Sequence, residues 1–217
     1  EDRKRYIRHY YLNDGELRET DYPEEHVDEK GGAEWGSLVH KLLENLHHRS
    51  PEDDEAKMEQ LASRFGQHLG DQKYKDRLKN ILRGVRETDF YKQAKKNGCF
   101  SEYPVELRLG NFILKGIFDL MYKNSRNQWE IIDFKTNRVK ASDTRNLTRK
   151  YEFQRRAYAL LLAHLFPQQN QYPVSLFYLD PLKQDSYIYN VLEIQQIELD
   201  IQKLMDQIFI YESEVFH

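Results

Sequence analysis

The sequence is poor in the features that mark secreted and membrane proteins. Cys99 is the single cysteine among 217 residues, so no disulfide can form within the chain and no four-cysteine zinc or iron–sulfur site can be built. It also lacks a secretory signal and any apolar run long enough to span a membrane. These absences predict a cytoplasmic protein with no membrane partner and no iron–sulfur cluster.

The chain also lacks a large net charge of either sign, although its charges are unevenly distributed along the sequence. The 33 Lys and Arg residues nearly balance 36 Asp and Glu, for a formal net charge of -3, which gives no support to a polyanionic ligand. Residues 134–156, however, carry eight basic residues against two acids, and residues 71–96 carry nine against four. A nucleic-acid backbone could lie along such a basic segment. For residues 71–96, a solvated helix face explains the pattern at least as well.

The hydrophobic pattern predicts one large domain preceded by a polar arm. Residues 1–32 lack steady periodicity, and we interpret them as a linker or packing arm. Residues 33–217 form the predicted domain, with a helical extension over 33–97 and an α/β core over 98–217. Because the chain begins at Glu1 rather than at a methionine, we expect it to be part of a longer polypeptide.

Periodicity predicts an α/β fold with a mixed sheet that contains a three-stranded antiparallel meander flanked by helices. Apolar residues at three- and four-residue steps predict helices over residues 35–46, 54–69, 74–95, 147–166 and 193–214. Alternating or continuous apolar residues predict strands over residues 99–109, 112–122, 129–136, 173–179 and 185–192.

Two hairpins of the meander align acidic residues. Gly110-Asn111 is a two-residue turn, and if Leu109 faces Phe112, then Glu102 faces Asp119. A second turn over residues 124–128, with Lys123 opposite Trp129, places Asp119 opposite Asp133. Neighbouring carboxylates would then be about 5 Å apart at their Cβ atoms. A slip of one residue would turn Asp133 to the other face.

Asp133 begins an acid-x-lysine tripeptide in an unusual setting. It follows a β-branched apolar run typical of a buried strand, whereas other such tripeptides, as at residues 55–57, lie in charged sequence. Lys135 shares its face. Either aspartate alone is best interpreted as solvated, but like charges directly opposite each other destabilise a sheet unless something compensates. The row of carboxylates therefore favours a divalent-cation site.

Three residues outside the meander are further candidates. His40 lies at the edge of the apolar stripe of the first helix, where its position alone favours packing or capping over metal ligation. Gln154 and Tyr158 lie one turn apart on a later helix and project side by side. Tyr158 is compatible with the core, whereas a buried Gln154 needs hydrogen-bond partners.

Five ordered motifs resemble those of the RecB/AddA-type nuclease domain of the PD-(D/E)XK superfamily. They are Gly-Ser-Leu-Val-His at 36–40, Glu-Tyr-Pro at 102–104, Gly-Ile-Phe-Asp at 116–119, Asp-Phe-Lys-Thr at 133–136 and Gln-Arg-Arg-Ala-Tyr at 154–158. Each motif alone is weak, and their order is specific. The resemblance implies a PD-(D/E)XK nuclease fold.

The resemblance also implies a site and an activity. Metal ligands would be His40, Asp119, Asp133 and the backbone carbonyl of Phe134. Asp119, Asp133 and Lys135 would be catalytic, with Glu102, Gln154 and Tyr158 supporting the site. The cofactor would be Mg²⁺, with Mn²⁺ as a substitute. The implied activity is hydrolysis of DNA phosphodiester bonds.

Such domains usually follow a helicase motor that supplies single-stranded DNA, so the resemblance implies an exonuclease domain of a recombination or repair helicase–nuclease. The helicase would lie upstream in the same polypeptide. Two alternatives stay open: a nuclease-fold module that only binds DNA, and a stand-alone recombination or defence nuclease. The predicted DNA contacts are Arg145, Arg149, Lys150, Arg155 and Arg156.

Overall fold

A computed structural model describes residues 10–13, 16–19, 32–136 and 151–215 of the chain. Near the N-terminus, strand β1 (Tyr10–Asn13) pairs antiparallel with β2 (Glu16–Glu19). This short hairpin lies in the segment interpreted above as a linker or packing arm, a role that stays a prediction. Within the described residues, no helix has the length and apolarity to cross a membrane.

Four helices precede the main sheet. They are α1 (Gly32–Leu43), α2 (Asp53–Leu69), α3 (Gln72–Glu87) and α4 (Asp89–Asn97), with a 3-10 turn at Leu46–His48 after α1. The single helix predicted over residues 74–95 is therefore two helices. Thr88 divides them because its backbone is extended and its Oγ accepts a hydrogen bond from the Tyr91 N–H, which caps α4.

The main sheet has five strands in the order β3-β4-β5-β6-β7, with only β5 and β6 parallel among its described pairs. Its strands are β3 (Cys99–Leu109), β4 (Phe112–Lys123), β5 (Trp129–Lys135), β6 (Gln171–Tyr178) and β7 (Lys183–Asn190), with helix α5 (Glu152–Leu165) between β5 and β6 and α6 (Val191–Val215) after β7. The predicted mixed sheet with an antiparallel meander is confirmed.

The two predicted hairpin registers are also confirmed. Leu109 pairs with Phe112 across the Gly110-Asn111 turn, where Gly110 has a φ of +58°. Lys123 pairs with Trp129 across the second turn. These registers determine which side chains of the meander meet.

Each face of the sheet supports its own hydrophobic core. Helices α1 to α4 pack on one face, against residues such as Ile132 and Phe134. Helices α5 and α6 pack on the other, against residues such as Ile131 and Val174. Strand β5 alternates regularly between the two cores, so Asp133 and Lys135 share the face of Ile131, which α5 covers.

Strands β3 and β4 exchange faces part of the way along the hairpin. Phe118 packs in the core under α5, whereas Leu120, two residues on, packs in the core under α1 to α4. Alternate residues of a regular strand share a face, so the strand must be irregular between these positions. In β3 the change coincides with Glu102, which has a φ of +51°. The carboxylates of Glu102 and Asp119 lie at this exchange.

Candidate active site

Three side chains from separate elements meet at the face exchange. The Nδ1 atom of His40, on α1, lies 3.5 Å from Oδ1 of Asp119 on β4 and 3.9 Å from Oε1 of Glu102 on β3. One ligand atom from each residue lies within 4.8 Å of the others. Pairing on both sides, Ser101 with Leu120 and Tyr103 with Phe118, places Glu102 opposite Asp119, as predicted.

The ladder between β4 and β5 opens beside this group. Regular pairing ends at Leu120 and Ile132, and Oδ2 of Asp119 then accepts a hydrogen bond from the Phe134 N–H at 2.7 Å. The side chain of Asp119 thus replaces the next ladder bond. Because the N–H and C=O of one residue point to the same side of an extended strand, the Phe134 carbonyl faces the same opening.

Asp133 and Lys135 form a buried ion pair next to the opening. Lys135 Nζ lies 2.6 Å from Oδ2 of Asp133, and their side chains are 10% and 3% exposed. Asp133 follows Ile132, the last residue of β5 that pairs regularly with β4. Charges in so buried a place need close partners.

Gln154 joins this ion pair to α5. Its Oε1 accepts a hydrogen bond from Lys135 Nζ at 2.7 Å, and its Nε2 donates to Oδ1 of Asp133 at 3.2 Å and to the Tyr158 hydroxyl at 3.1 Å. Tyr158 donates in turn to the carbonyl of Ile117 at 2.8 Å. The amide partners that the sequence required for Gln154 are therefore the acid and lysine of the tripeptide.

Tyr151 is a member of the site that the sequence pattern did not indicate. Lys135 Nζ lies 4.0 Å from the centroid of its ring, within the range of a cation–π contact. Tyr151 is three residues before Gln154, so the two side chains lie on neighbouring positions of the same helix start. That spacing was available in the sequence, but an aromatic residue there is ordinarily interpreted as core.

Electrostatics show that the group carries excess negative charge. Burial lowers the pKa of His40, but the hydrogen bond and charge of Asp119, followed by the charges of Glu102 and Asp133, outweigh it and leave that pKa raised. Burial, and then the charge of Asp119, raises the pKa of Glu102. Burial raises the pKa of Asp133 as well, against the opposing charge of Lys135. A cation near these carboxylates would relieve their repulsion.

The donor set fits a divalent cation. Carboxylate oxygens are ligands for Mg²⁺, and an imidazole nitrogen beside them suits Mn²⁺. The structure brings together His40, Glu102 and Asp119, whereas the resemblance implied His40, Asp119 and Asp133. Glu102, predicted as a supporting residue, thus joins the candidate ligand group, while Asp133 adjoins that group and contacts Lys135.

Two glycines of the motifs differ in how closely the chain packs around them. A Cβ atom on Gly116 would lie 2.8 Å from Leu161 Cδ1 and 3.2 Å from Tyr158 Cε1, so the bare backbone lets α5 approach β4. A Cβ atom on Gly36 would meet Thr136 Oγ1 at 3.4 Å, which is an ordinary contact. Gly116 is therefore the position with the stricter size limit.

The predicted DNA contacts are distributed differently from the rest. Arg155 is buried, contacts Glu152, lies 3.5 Å from Asp185 and has its guanidinium 5.4 Å from the ring centroid of Tyr187. Arg156 is paired with Asp200 of α6. Both guanidinium groups are thus engaged within the domain. Arg145, Arg149 and Lys150 lie outside the described residues.

Comparison with known proteins identifies the family. No curated protein matches the chain. A solved structure, the crystal structure of SSO0001, is 16% identical, with a TM-score of 0.34 over 80% of this chain and 86% of that chain. The profile of the PD-(D/E)XK nuclease superfamily matches residues 6–215. The five-stranded mixed sheet flanked by helices is consistent with that family's fold. The chain belongs to the PD-(D/E)XK nuclease superfamily.

Proposed function

We propose that the protein is a metal-dependent deoxyribonuclease that hydrolyses DNA phosphodiester bonds. The observation that carries this proposal is the convergence of His40, Glu102 and Asp119 within 4.8 Å, beside the buried pair of Asp133 and Lys135. Membership of a nuclease superfamily supports the reaction class. The intact acid-x-lysine tripeptide argues against a module that only binds DNA.

His40, Glu102 and Asp119 would hold the cation, and Asp133 and the backbone carbonyl of Phe134 would be further ligands. A bound Mg²⁺ or Mn²⁺ would supply Lewis-acid polarisation of the phosphate and a lowered pKa for bound water. The other carboxylate oxygen of Asp119, Oδ2, accepts a hydrogen bond from the Phe134 N–H. That bond orients the carboxylate before any ligand arrives, which reduces the cost of reorganisation.

Lys135 would act on the substrate side of the site. Its ammonium is held by Asp133 and Gln154 on two sides, so its position is determined by the sheet and by α5 together. A positioned ammonium can orient an attacking water or stabilise the negative charge that develops on the phosphate. Gln154 and Tyr158 have supporting roles, since they bond to that pair and to β4 rather than to open space.

The finer assignments follow from the motif resemblance. We propose a RecB/AddA-type nuclease domain over residues 33–217, acting as the exonuclease part of a cytoplasmic recombination or repair helicase–nuclease. A helicase upstream in the polypeptide would supply single strands. A domain supplied in this way should cleave single-stranded DNA faster than duplex DNA.

Cleavage of end-labelled single-stranded and duplex DNA, with Mg²⁺, Mn²⁺, Ca²⁺ or EDTA, tests the proposal. We expect cleavage with Mg²⁺ or Mn²⁺, none with EDTA, and loss of cleavage in Asp119→Ala and Lys135→Ala. Lys115→Ala is the matched control, because Lys115 makes an exposed ion pair with Glu106 outside the site. Cleavage by wild-type protein in EDTA, or wild-type rates in Lys135→Ala, would contradict the proposed function.

His40 can be tested separately by titrating Mn²⁺. If it is a ligand, His40→Ala should need a higher Mn²⁺ concentration for half-maximal activity or binding. A histidine that only packs would instead lower thermal stability and leave the Mn²⁺ dependence unchanged.

A further inference from the structure

Lys135 has a third neighbour besides Asp133 and Gln154. Its Nζ lies 2.6 Å from Oδ2 of Asp133, 2.7 Å from Oε1 of Gln154 and 4.0 Å from the ring centroid of Tyr151. An ammonium has three N–H donors. The carboxylate, the amide oxygen and the π face together surround the ammonium.

The three neighbours of Lys135 differ in what else they contact. Asp133 adjoins the candidate ligand group, so the direction of its carboxylate depends on what occupies the site. Gln154 is shared, because its amide also bonds to Asp133 and Tyr158. The ring of Tyr151 belongs to the helix start and packs beside Leu176 and Tyr178, two fully buried residues of β6. Tyr151 is thus the neighbour of Lys135 that packs on β6, outside the candidate ligand group.

We propose that Tyr151 is a positioning residue that holds the ammonium of Lys135 in its reactive place through a cation–π contact. This inference rests on the proposed nuclease function and adds a residue outside the five motifs described above. The aromatic face attracts the positive charge of the ammonium. The two N–H groups that bond to Asp133 and Gln154 stay free to change partners. Lys135 can then leave Asp133 without losing its orientation.

The ring, rather than the hydroxyl or the bulk, is what the proposal requires. Tyr151→Phe keeps the π face, whereas Tyr151→Leu keeps apolar bulk without it. We expect kcat to stay near the wild-type value in Tyr151→Phe and to fall roughly 3- to 30-fold in Tyr151→Leu, which is the range for losing a partly desolvated cation–π contact. KM and the Mn²⁺ concentration for half-maximal activity should not change. Tyr74→Leu, which removes a tyrosine ring that lies tilted 5.5 Å from the Trp35 ring, is the matched control and should leave kcat unchanged.

NMR of the Lys135 side chain tests the contact with Tyr151 without any measurement of turnover. A charge over an aromatic face places the neighbouring Lys135 methylene in the shielding zone of the ring. In protein carrying ¹³C-labelled lysine, we expect an upfield-shifted Cε proton signal that is absent in Lys135→Ala, present in Tyr151→Phe and lost in Tyr151→Leu.

The outcomes separate the two proposals. If the wild-type protein does not cleave DNA, the nuclease proposal fails, and the ring shift still decides whether Tyr151 holds Lys135. The inference on Tyr151 is overturned if Lys135 shows no ring shift in the wild-type protein, or if Tyr151→Leu keeps wild-type kcat. An equal loss of kcat in Tyr151→Phe and Tyr151→Leu would also overturn it, because the hydroxyl would then be responsible.

Discussion

Asp133 and Lys135 are two buried charges that depend on each other. Removing one partner of a buried ion pair leaves the other uncompensated, which typically costs about 3–5 kcal/mol. We therefore expect Asp133→Ala to lower the free energy of unfolding by about 3 kcal/mol, at the low end because Gln154 still bonds to Lys135. Asp133→Leu combined with Lys135→Met should recover most of the loss.

Urea denaturation measures both effects. Glu106→Ala, which breaks the exposed pair with Lys115, should change stability by less than about 1 kcal/mol and is the control. Wild-type stability in Asp133→Ala would show that the buried pair contributes nothing net.

Glu130 gives a pH-dependent test away from the site. Burial raises its pKa, and hydrogen bonds with Tyr122, Asn124 and Ser175 oppose this only in part. A carboxyl with a raised folded-state pKa contributes stability that is complete below its unfolded pKa of about 4.3 and is lost as pH rises through the folded value. We expect wild-type protein to lose stability relative to Glu130→Gln over that rise.

Urea denaturation of both proteins at a series of pH values, from about 4 to about 7, measures the difference. Glu106→Gln is the control for the same substitution at an exposed position. A difference between wild type and Glu130→Gln that stays constant with pH would mean that Glu130 is not perturbed in the folded state.

At the scale of elements, the contact between α5 and β4 determines the shape of the site. Gly116→Ala would place a methyl group 2.8 Å from Leu161, and overpacking of this kind typically costs about 1–3 kcal/mol. We expect lower stability and a displaced Tyr158, and therefore lower activity. Gly36→Ala should instead be neutral or stabilising by up to about 1 kcal/mol, since alanine favours the helix and the contact there is ordinary.

Thermal unfolding and cleavage assays on the two glycine variants make this comparison. Equal stability of Gly116→Ala and Gly36→Ala would contradict the packing limit assigned to Gly116.

Much of the sheet was predictable because its hairpins are short and carry local signals. The Gly110-Asn111 turn determines one register, and alternation on either side determines which residues face each other. The break at Thr88 was missed, although Thr88-Asp89 is a capping sequence, because the apolar stripe continues across it. The face exchange had no signal at all: it depends on Glu102 adopting a positive φ, and nothing about a glutamate predicts that.

The site was predictable to the same extent as the sheet. Asp119, Asp133 and Lys135 follow from register, and Gln154 follows from helix spacing. The close approach of His40 and Glu102 does not, because it needs the packing of α1 on the sheet and the exchange of faces. Tyr151 was missed since an aromatic residue at a helix start has many ordinary uses.

At the scale of the whole molecule, Arg155 and Arg156 form ion pairs within the domain. Arg145, Arg149 and Lys150 are the other predicted DNA contacts. We expect Arg149→Ala with Lys150→Ala to weaken binding to all single-stranded sequences and to flatten the salt dependence, by about 0.7 in the log–log slope for each phosphate that is no longer neutralised. Arg155→Ala should instead lower stability and leave the slope unchanged.

Filter binding or fluorescence anisotropy across a range of salt concentrations measures these slopes. An unchanged slope in the Arg149 and Lys150 double variant would place the DNA path elsewhere, first along α3 and α4.

The ligand group joins parts of the chain that are far apart in sequence, since His40 belongs to α1 while Glu102 and Asp119 belong to the β3–β4 hairpin. A cation shared by these side chains would have to dissociate before α1 could detach from the sheet. At a concentration 100 times its dissociation constant, this linkage is worth about 2.7 kcal/mol, or roughly 100-fold in the opening equilibrium. Amide hydrogen exchange in α1 should therefore slow by up to that factor as Mg²⁺ is added, with His40→Ala as the control that does not respond. A metal site of this kind would also link α1 to the β3–β4 hairpin. Loss of the cation would then destabilise the contact between them as well as end catalysis.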